Sequence, residues 1–136
     1  MMKKFVIGLL VMFVLAACSG GNSASLNGQW KLVSYGPASS QTPAAADVET
    51  SIEFKSDGTL SGNVGCNGFG GDFKVEGDTL TFGSIVSTMM FCEGPGGDQE
   101  TAALTVIQES AKFVLAGDTL TITSADGSSA IVLARK

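Results

Sequence analysis

The chain has 136 residues, 13 acidic and 8 basic side chains, a net charge of −5 and no histidine. The missing histidine removes serine–histidine and cysteine–histidine nucleophiles and the commonest metal ligand. The scattered Lys and Arg argue against nucleic acid as a partner, because phosphate recognition needs them clustered.

Lys3 and Lys4 precede an apolar run from Phe5 to Leu15, which closes on Leu15-Ala16-Ala17-Cys18. Charge, a short apolar stretch and small residues make a secretory signal, too short to persist as a spanning helix. The closing Leu-Ala-Ala-Cys resembles the lipobox of bacterial lipoproteins, which implies acylation of Cys18 and cleavage before it. Residues 1–17 are then a lipoprotein signal peptide. Residues 18–27 are the lipidated cysteine and a flexible tether, small and uncharged from Ser19 to Ser25. The membrane is met through lipid on Cys18, at the cell envelope. Ser19 resembles the default for outer-membrane sorting in a cell with two membranes. Cleavage leaves 119 of the 136 residues, enough for one core, and removing Lys3 and Lys4 takes the charge from −5 to −7. Such an acidic surface opposes adhesion to anionic lipid heads.

The body, residues 28–136, reads as mainly β: about seven or eight strands in a compact antiparallel barrel-like domain, with one helix packed on it. Trp30 to Tyr35 is the first strand, and Gly36 to Val48, rich in Pro, Ala and Ser, is an exposed loop. Asp57-Gly58 is a turn between Ile52-Glu53-Phe54 and Leu60. Phe73 to Phe82 and Phe113 to Ile122 echo one another around Gly-Asp-Thr-Leu-Thr. Each reads as a hairpin that points Phe73, Val75, Leu80 and Phe82, or Phe113, Leu115, Leu120 and Ile122, inward. After the breaker Gly94-Pro95-Gly96-Gly97, a helix is predicted from about Gln99 to Ala111, capped by Asp98, with Ala103, Leu104, Ile107 and Ala111 on its buried face. Asp126-Gly127 turns the last hairpin.

The glycine-dense stretch Gly62 to Gly71 contains Gly65-Cys66-Asn67, and Thr88-Met89-Met90-Phe91-Cys92 follows one hairpin later. This pair of motifs resembles the META/HslJ domain family, whose pattern has Gly-Cys-Asn after a strand and later a Thr, three mostly apolar residues and a second Cys. Trp30 with Leu32, and the Gly-Asp-x-Leu-x-Ile ending at Ile122, extend the likeness over about residues 28–133. Ala102-Ala103 departs from it where a bulky aromatic is common. The resemblance implies a compact β-rich domain with a helix, often secreted or lipid-anchored and linked to heat-shock or envelope stress. It carries over the motif positions Gly65, Cys66, Asn67, Thr88, Met89 and Cys92, and no catalytic residue.

With Cys18 acylated, Cys66 and Cys92 are an even pair in an oxidising compartment and read as a disulfide, with two buried thiols as the alternative. A copper(I) site from Met89, Met90, Cys66 and Cys92 is chemically sensible. Adjacent strand methionines point to opposite faces, however, so one belongs in the core and no metal is expected. The glycines are expected at bulges and corners rather than in an anion nest, and Asn67 is expected to bond within its own turn. Asp57, Asp78, Asp118 and Asp126 are single acids at separate turns, unlike a calcium loop. No cofactor is expected. The leading functional expectation is a non-enzymatic envelope protein that binds another envelope protein or a cell-wall component. A small-ligand barrel, or an inhibitor of a secreted hydrolase acting through Gly36–Val48 or Gly94–Gly97, is the alternative. Replacing Cys18 with Ala is expected to abolish incorporation of a fatty-acid analogue in metabolic labelling. Equal labelling of both forms would end the lipoprotein reading.

Overall fold

The computed structural model describes residues 23–136. The signal segment, Cys18 and the first part of the tether lie outside the described residues. The elements in chain order are α1 (Ser23–Leu26), β1 (Gly28–Pro37), β2 (Thr42–Pro43), β3 (Ser51–Phe54), β4 (Thr59–Asn63), β5 (Gly68–Glu76), β6 (Thr79–Ser87), α2 (Pro95–Val106), β7 (Ser110–Ala116), β8 (Thr119–Ser124) and β9 (Ser129–Arg135). Each strand from β3 onward pairs antiparallel with the next, β1 pairs with both β3 and β9, and the sheet closes on itself. The result is an eight-stranded antiparallel barrel, with β2 added beside β1 at Ser34 and Tyr35. Closure removes most of the unpaired strand edges on which another chain could build, leaving that of the two-residue β2 and the part of β6 beyond its three pairs with β7.

Period-two alternation decides which faces meet. Leu80, Leu120, Ile122, Ile131 and Leu133 are fully buried together with Trp30, Ile52, Phe54 and Leu60. Phe54 and Phe73 meet edge to face, with ring centroids 5.0 Å apart. The two echoed hairpins form as expected, each turning on a glycine, Gly77 or Gly117, at φ +60°. A two-residue loop needs positive φ at its first central position to match strand twist, and only glycine takes it without steric cost.

One end of the barrel is sewn shut by the N-terminal segment. Leu26 is fully buried, and the Trp30 indole donates its Nε1 proton to the Leu26 carbonyl at 2.9 Å. The Arg135 guanidinium lies 4.2 Å from the Trp30 ring centroid and donates to the carbonyls of Ser25 and Asn27 at 2.9 and 3.0 Å. The tether expected over residues 18–27 is therefore cut short. Ser23–Leu26 is a helical turn, because burying Leu26 and satisfying its carbonyl hold it to the barrel.

Two further expectations are corrected. The helix spans Pro95–Val106 rather than Gln99 to Ala111, and Gly94, not Asp98, is its N-cap. Proline suits the first helical turn, which lacks a use for its N–H. At the other end, Ser110–Lys112 are taken as ladder partners by Thr79–Thr81, so Ala111 is buried in β7 and not on the helix. The loop from Gly36 to Val48 is largely exposed but not free. The Gln41 amide donates to the carbonyls of Gly36, Pro37 and Ala130, and the Ala45 N–H donates to Gln99 Oε1.

Alternation of the strands places the two ends of the described chain, Ser23 and Lys136, with the turns 55–58, 77–78 and 117–118 at one end, here the terminal end. Segments 38–50, 64–67, 88–109 and 125–128 lie at the other, the distal end. Replacing Trp30 with Ala is expected to cost about 3–5 kcal/mol, since the ring is fully buried, closes the terminal end and carries the contact to Arg135. Denaturant titration reads it, and a loss below about 1 kcal/mol would mean that α1 and Arg135 hold that end without the indole.

Candidate functional site

The sequence motifs converge at the distal end. Asn63 organises the 64–67 loop, accepting from the Gly65 N–H at 2.9 Å and donating to the Cys66 carbonyl at 3.1 Å. Gly65, at φ +149°, passes so close to Gly96 that a Cβ would collide with its backbone, and a Cβ on Gly97 would strike the Cys92 carbonyl. These glycines let the first turn of α2 lie directly on both motif segments. Cys66 and Cys92 form a disulfide with Cα atoms 6.0 Å apart.

Asn67 is the hub, and it is 5% exposed. Its Oδ1 accepts from the Thr88 hydroxyl and the Met90 N–H, both at 2.8 Å. Its Nδ2 donates to the Met90 carbonyl at 3.0 Å and to Glu100 Oε2 at 2.8 Å, and its backbone N–H donates to Glu100 Oε1. The expectation that Asn67 bonds within its own turn is thus corrected. Asn63 does that work, while Asn67 reaches across to two other segments because burial leaves it no water to bond. Beside it, Gln99 is fully buried and donates to the Val64 carbonyl at 2.7 Å. Sequence reasoning missed Glu100 and Gln99, since an acid and an amide early in a helix read locally as solvated groups.

Of the six motif positions, Gly65, Cys66, Asn67, Thr88 and Cys92 build this corner, whereas Met89 projects from it. Relative exposure is 92% at Met89, 62% at Met90 and 88% at Phe91. The expectation that one methionine belongs to the core is wrong. Residues 88–91 are not in a strand, so alternation does not apply, and the Met90 backbone is instead bonded on both sides to Asn67. With both sulfurs in the disulfide, the thiolates that a copper(I) site would need are consumed. The apolar tip continues into Val86, 70% exposed on β6.

The turn acids are occupied locally. Asp126 is pulled down to about 2 by the Ser128 N–H and the hydroxyls of Ser124 and Ser128. Asp57 is lowered by Thr59 and Asp78 by Lys112. Among the described residues, no three His, Cys, Asp or Glu side chains are grouped to hold a metal. The barrel interior is occupied by its own side chains from Trp30 through Leu133, as suits a barrel of about eight strands. The hollows around Thr105 and Asp126, and around Ser61 and Val86, open on the outside. Of the two loops that an inhibitor would use, Gly94–Gly97 is packed into the start of α2 and Gly36–Val48 is pinned by Gln41. The segment that protrudes is Met89–Phe91.

A family model described as "META domain" matches residues 24–136. No curated protein matches the chain. Among solved structures, the barrel is similar to an NMR structure of a protein from Burkholderia xenovorans, at 21% identity over 84% of this chain and 86% of that one, with a TM-score of 0.67. A second NMR structure matches at 20% identity over 83% and 94% of the two chains, with a TM-score of 0.64. A crystal structure of a DUF4847 family protein from Bacteroides vulgatus matches at 16% identity over 82% and 94%, with a TM-score of 0.57. At these identities the likeness is one of fold.

The corner makes two separable predictions. Reducing the Cys66–Cys92 bond frees a loop of sequence separation 26. In the chain-entropy model that is worth about 3.5 kcal/mol, so the urea midpoint should fall on reduction. Replacing Asn67 with Ala removes the side-chain donor to Glu100 Oε2, which keeps the residue-67 backbone N–H on its other oxygen, and strands the Met90 N–H and carbonyl, at about 1–3 kcal/mol for each buried group left unpaired. Limited proteolysis should then cut first between Thr88 and Cys92. An Asn67→Ala protein as resistant there as the wild type would show that the disulfide alone holds the tip.

Proposed function

The chain belongs to the META domain family, and on that premise we propose that it is a lipid-anchored envelope protein that acts by binding rather than by catalysis, in tolerance of envelope stress. The observation that carries this reading is the exposed run Met89-Met90-Phe91, fixed to the distal end by the disulfide and by Asn67. Large apolar side chains held out in water on a rigid mount are costly to keep and mark contact sites. Their mount lowers the ordering cost that a flexible loop would pay on binding.

The anchor and the tip lie at opposite ends. Lipid on Cys18 would leave only residues 19–22 before Ser23, a span of at most about 18 Å for any conformation of the chain. The terminal end would then rest near the membrane, and Met89–Phe91 would point away from it. A partner met in this geometry is another envelope protein or a cell-wall component standing off the same membrane.

Incorporating a photo-crosslinking residue at Phe91 in intact cells tests the reading, with the same residue at Val114, 65% exposed on the barrel wall, as control. A discrete adduct from position 91 that is absent from position 114 is expected. Free monomer alone at both positions, with and without envelope stress, would refute a binding role for the tip.

A further inference from the structure

We propose that the partner of the distal tip is a cationic amphipathic polypeptide segment, an inference that rests on the binding reading above and names its chemistry. Charge in this molecule is sorted by end. All six basic residues of the described chain lie toward the terminal end or pair with it: Lys31, Lys55, Lys74, Arg135, Lys136, and Lys112 through Asp78 of the 77–78 turn. The distal segments carry Asp47, Glu49, Glu93, Asp98, Glu100, Glu109 and Asp126 and no basic residue, although Glu49, where its segment returns along β1, shares a hollow with Lys31 and Lys136. The ion pairs Lys74–Glu76, Lys112–Asp78 and Arg135–Asp118 all neutralise terminal-end acids. The described chain's net charge of −7 is therefore carried by the distal segments, and Glu93 and Asp98 are the exposed acids of that set that line the same hollow as Met90 and Phe91.

Apolar and acidic groups share one hollow there. Met90, Phe91, Glu93, Asp98 and Thr101 line a space of about 410 Å³ beside the disulfide. Glu93 and Asp98 are exposed, and neither forms an ion pair among the described residues. Glu100, by contrast, is buried and committed to Asn67.

This combination selects the occupant. A second copy docking tip to tip would set two acidic ends together, and an anionic lipid surface or a nucleic acid would be repelled in the same way. An uncharged glycan would leave the apolar side chains poorly matched. A polypeptide with alternating apolar and Lys or Arg side chains covers Met89 and Phe91 while its cations meet Glu93 and Asp98. Complementary charge would steer its approach, and the apolar contacts would hold it.

The test uses the lipidated protein in phosphatidylcholine nanodiscs, with empty discs as the baseline. Fluorescence anisotropy is read with a short Lys/Leu peptide, its Glu/Leu counterpart and a soluble peptidoglycan fragment. The Lys/Leu peptide is expected to bind and the other two not. Raising salt from about 0.05 to about 0.5 M should weaken binding roughly tenfold. The pairs Met89→Ser with Phe91→Ser, and Glu93→Gln with Asp98→Asn, should each weaken it by roughly fivefold or more without moving Tm, because all four side chains are exposed. Equal binding of both peptides, binding that neither pair of substitutions changes, preference for the glycan, or tip-dependent self-association in place of peptide binding would each overturn the proposal. If neither peptide binds while the Phe91 adduct persists in cells, the cationic assignment falls and the binding reading stands. If both fail, both fall.

Discussion

The distal end depends on one buried amide. Asn67 joins three segments that are far apart in sequence: its own loop after β4, the Thr88–Met90 stretch after β6 and the first turns of α2 through Glu100. Its side chain has two acceptor positions and two donors, and the Thr88 hydroxyl, the Met90 N–H, the Met90 carbonyl and Glu100 use them. Aspartate at this position would lack the donors and put a second carboxylate against Glu100. Leucine would leave Glu100 buried with the Asn67 backbone N–H as its remaining partner from this residue. The disulfide at the neighbouring position restrains the same segments covalently. The covalent bond limits how far they separate, and the amide sets their orientation.

The two ends of the barrel are closed by different physics, which suits them to different tasks. At the terminal end a fully buried indole, a guanidinium stacked on it and three ion pairs nearby leave charge locally balanced. At the distal end the closure is made of backbone contacts between glycines, a disulfide and buried amides, so charged side chains are left unneutralised on the outside. The first arrangement is compatible with lying close to a lipid surface. On the lipid-anchored reading proposed above, the second would keep a field and an apolar contact pointing away from it.

Much of the barrel was legible because strand alternation and hairpin chemistry are local. Gly77-Asp78 and Gly117-Asp118 turn where their spacing predicts, and of the eight side chains expected to point inward from the echoed hairpins six are buried and two, Val75 and Leu115, are partly buried against the core. The pairing of Cys66 with Cys92 was legible from the cysteine count once Cys18 is set aside as the expected lipidation site. The roles of Asn67, Gln99 and Glu100 were not, because each is set by partners 21 to 54 residues away. The helix boundaries failed for a related reason. Pro95 and two glycines read as a breaker, yet those glycines are what allows α2 to start against Gly65 and Cys92. The burial of Leu26 was hidden by a small polar neighbourhood that resembles a linker.

Met89 and Met90 show how a motif can be read correctly and placed wrongly. Between a strand and a helix, apolar residues look like core, since burying each would be worth about 1.5–3 kcal/mol. The structure forgoes that gain. It also spends the polar capacity of Asn67 on the Met90 backbone, which fixes the segment while leaving its side chains in water. A loop whose only task was to connect β6 to α2 could be polar at these positions and lose nothing in the packing described here. Exposed apolar side chains on a backbone held from both sides make sense when something else supplies their cover.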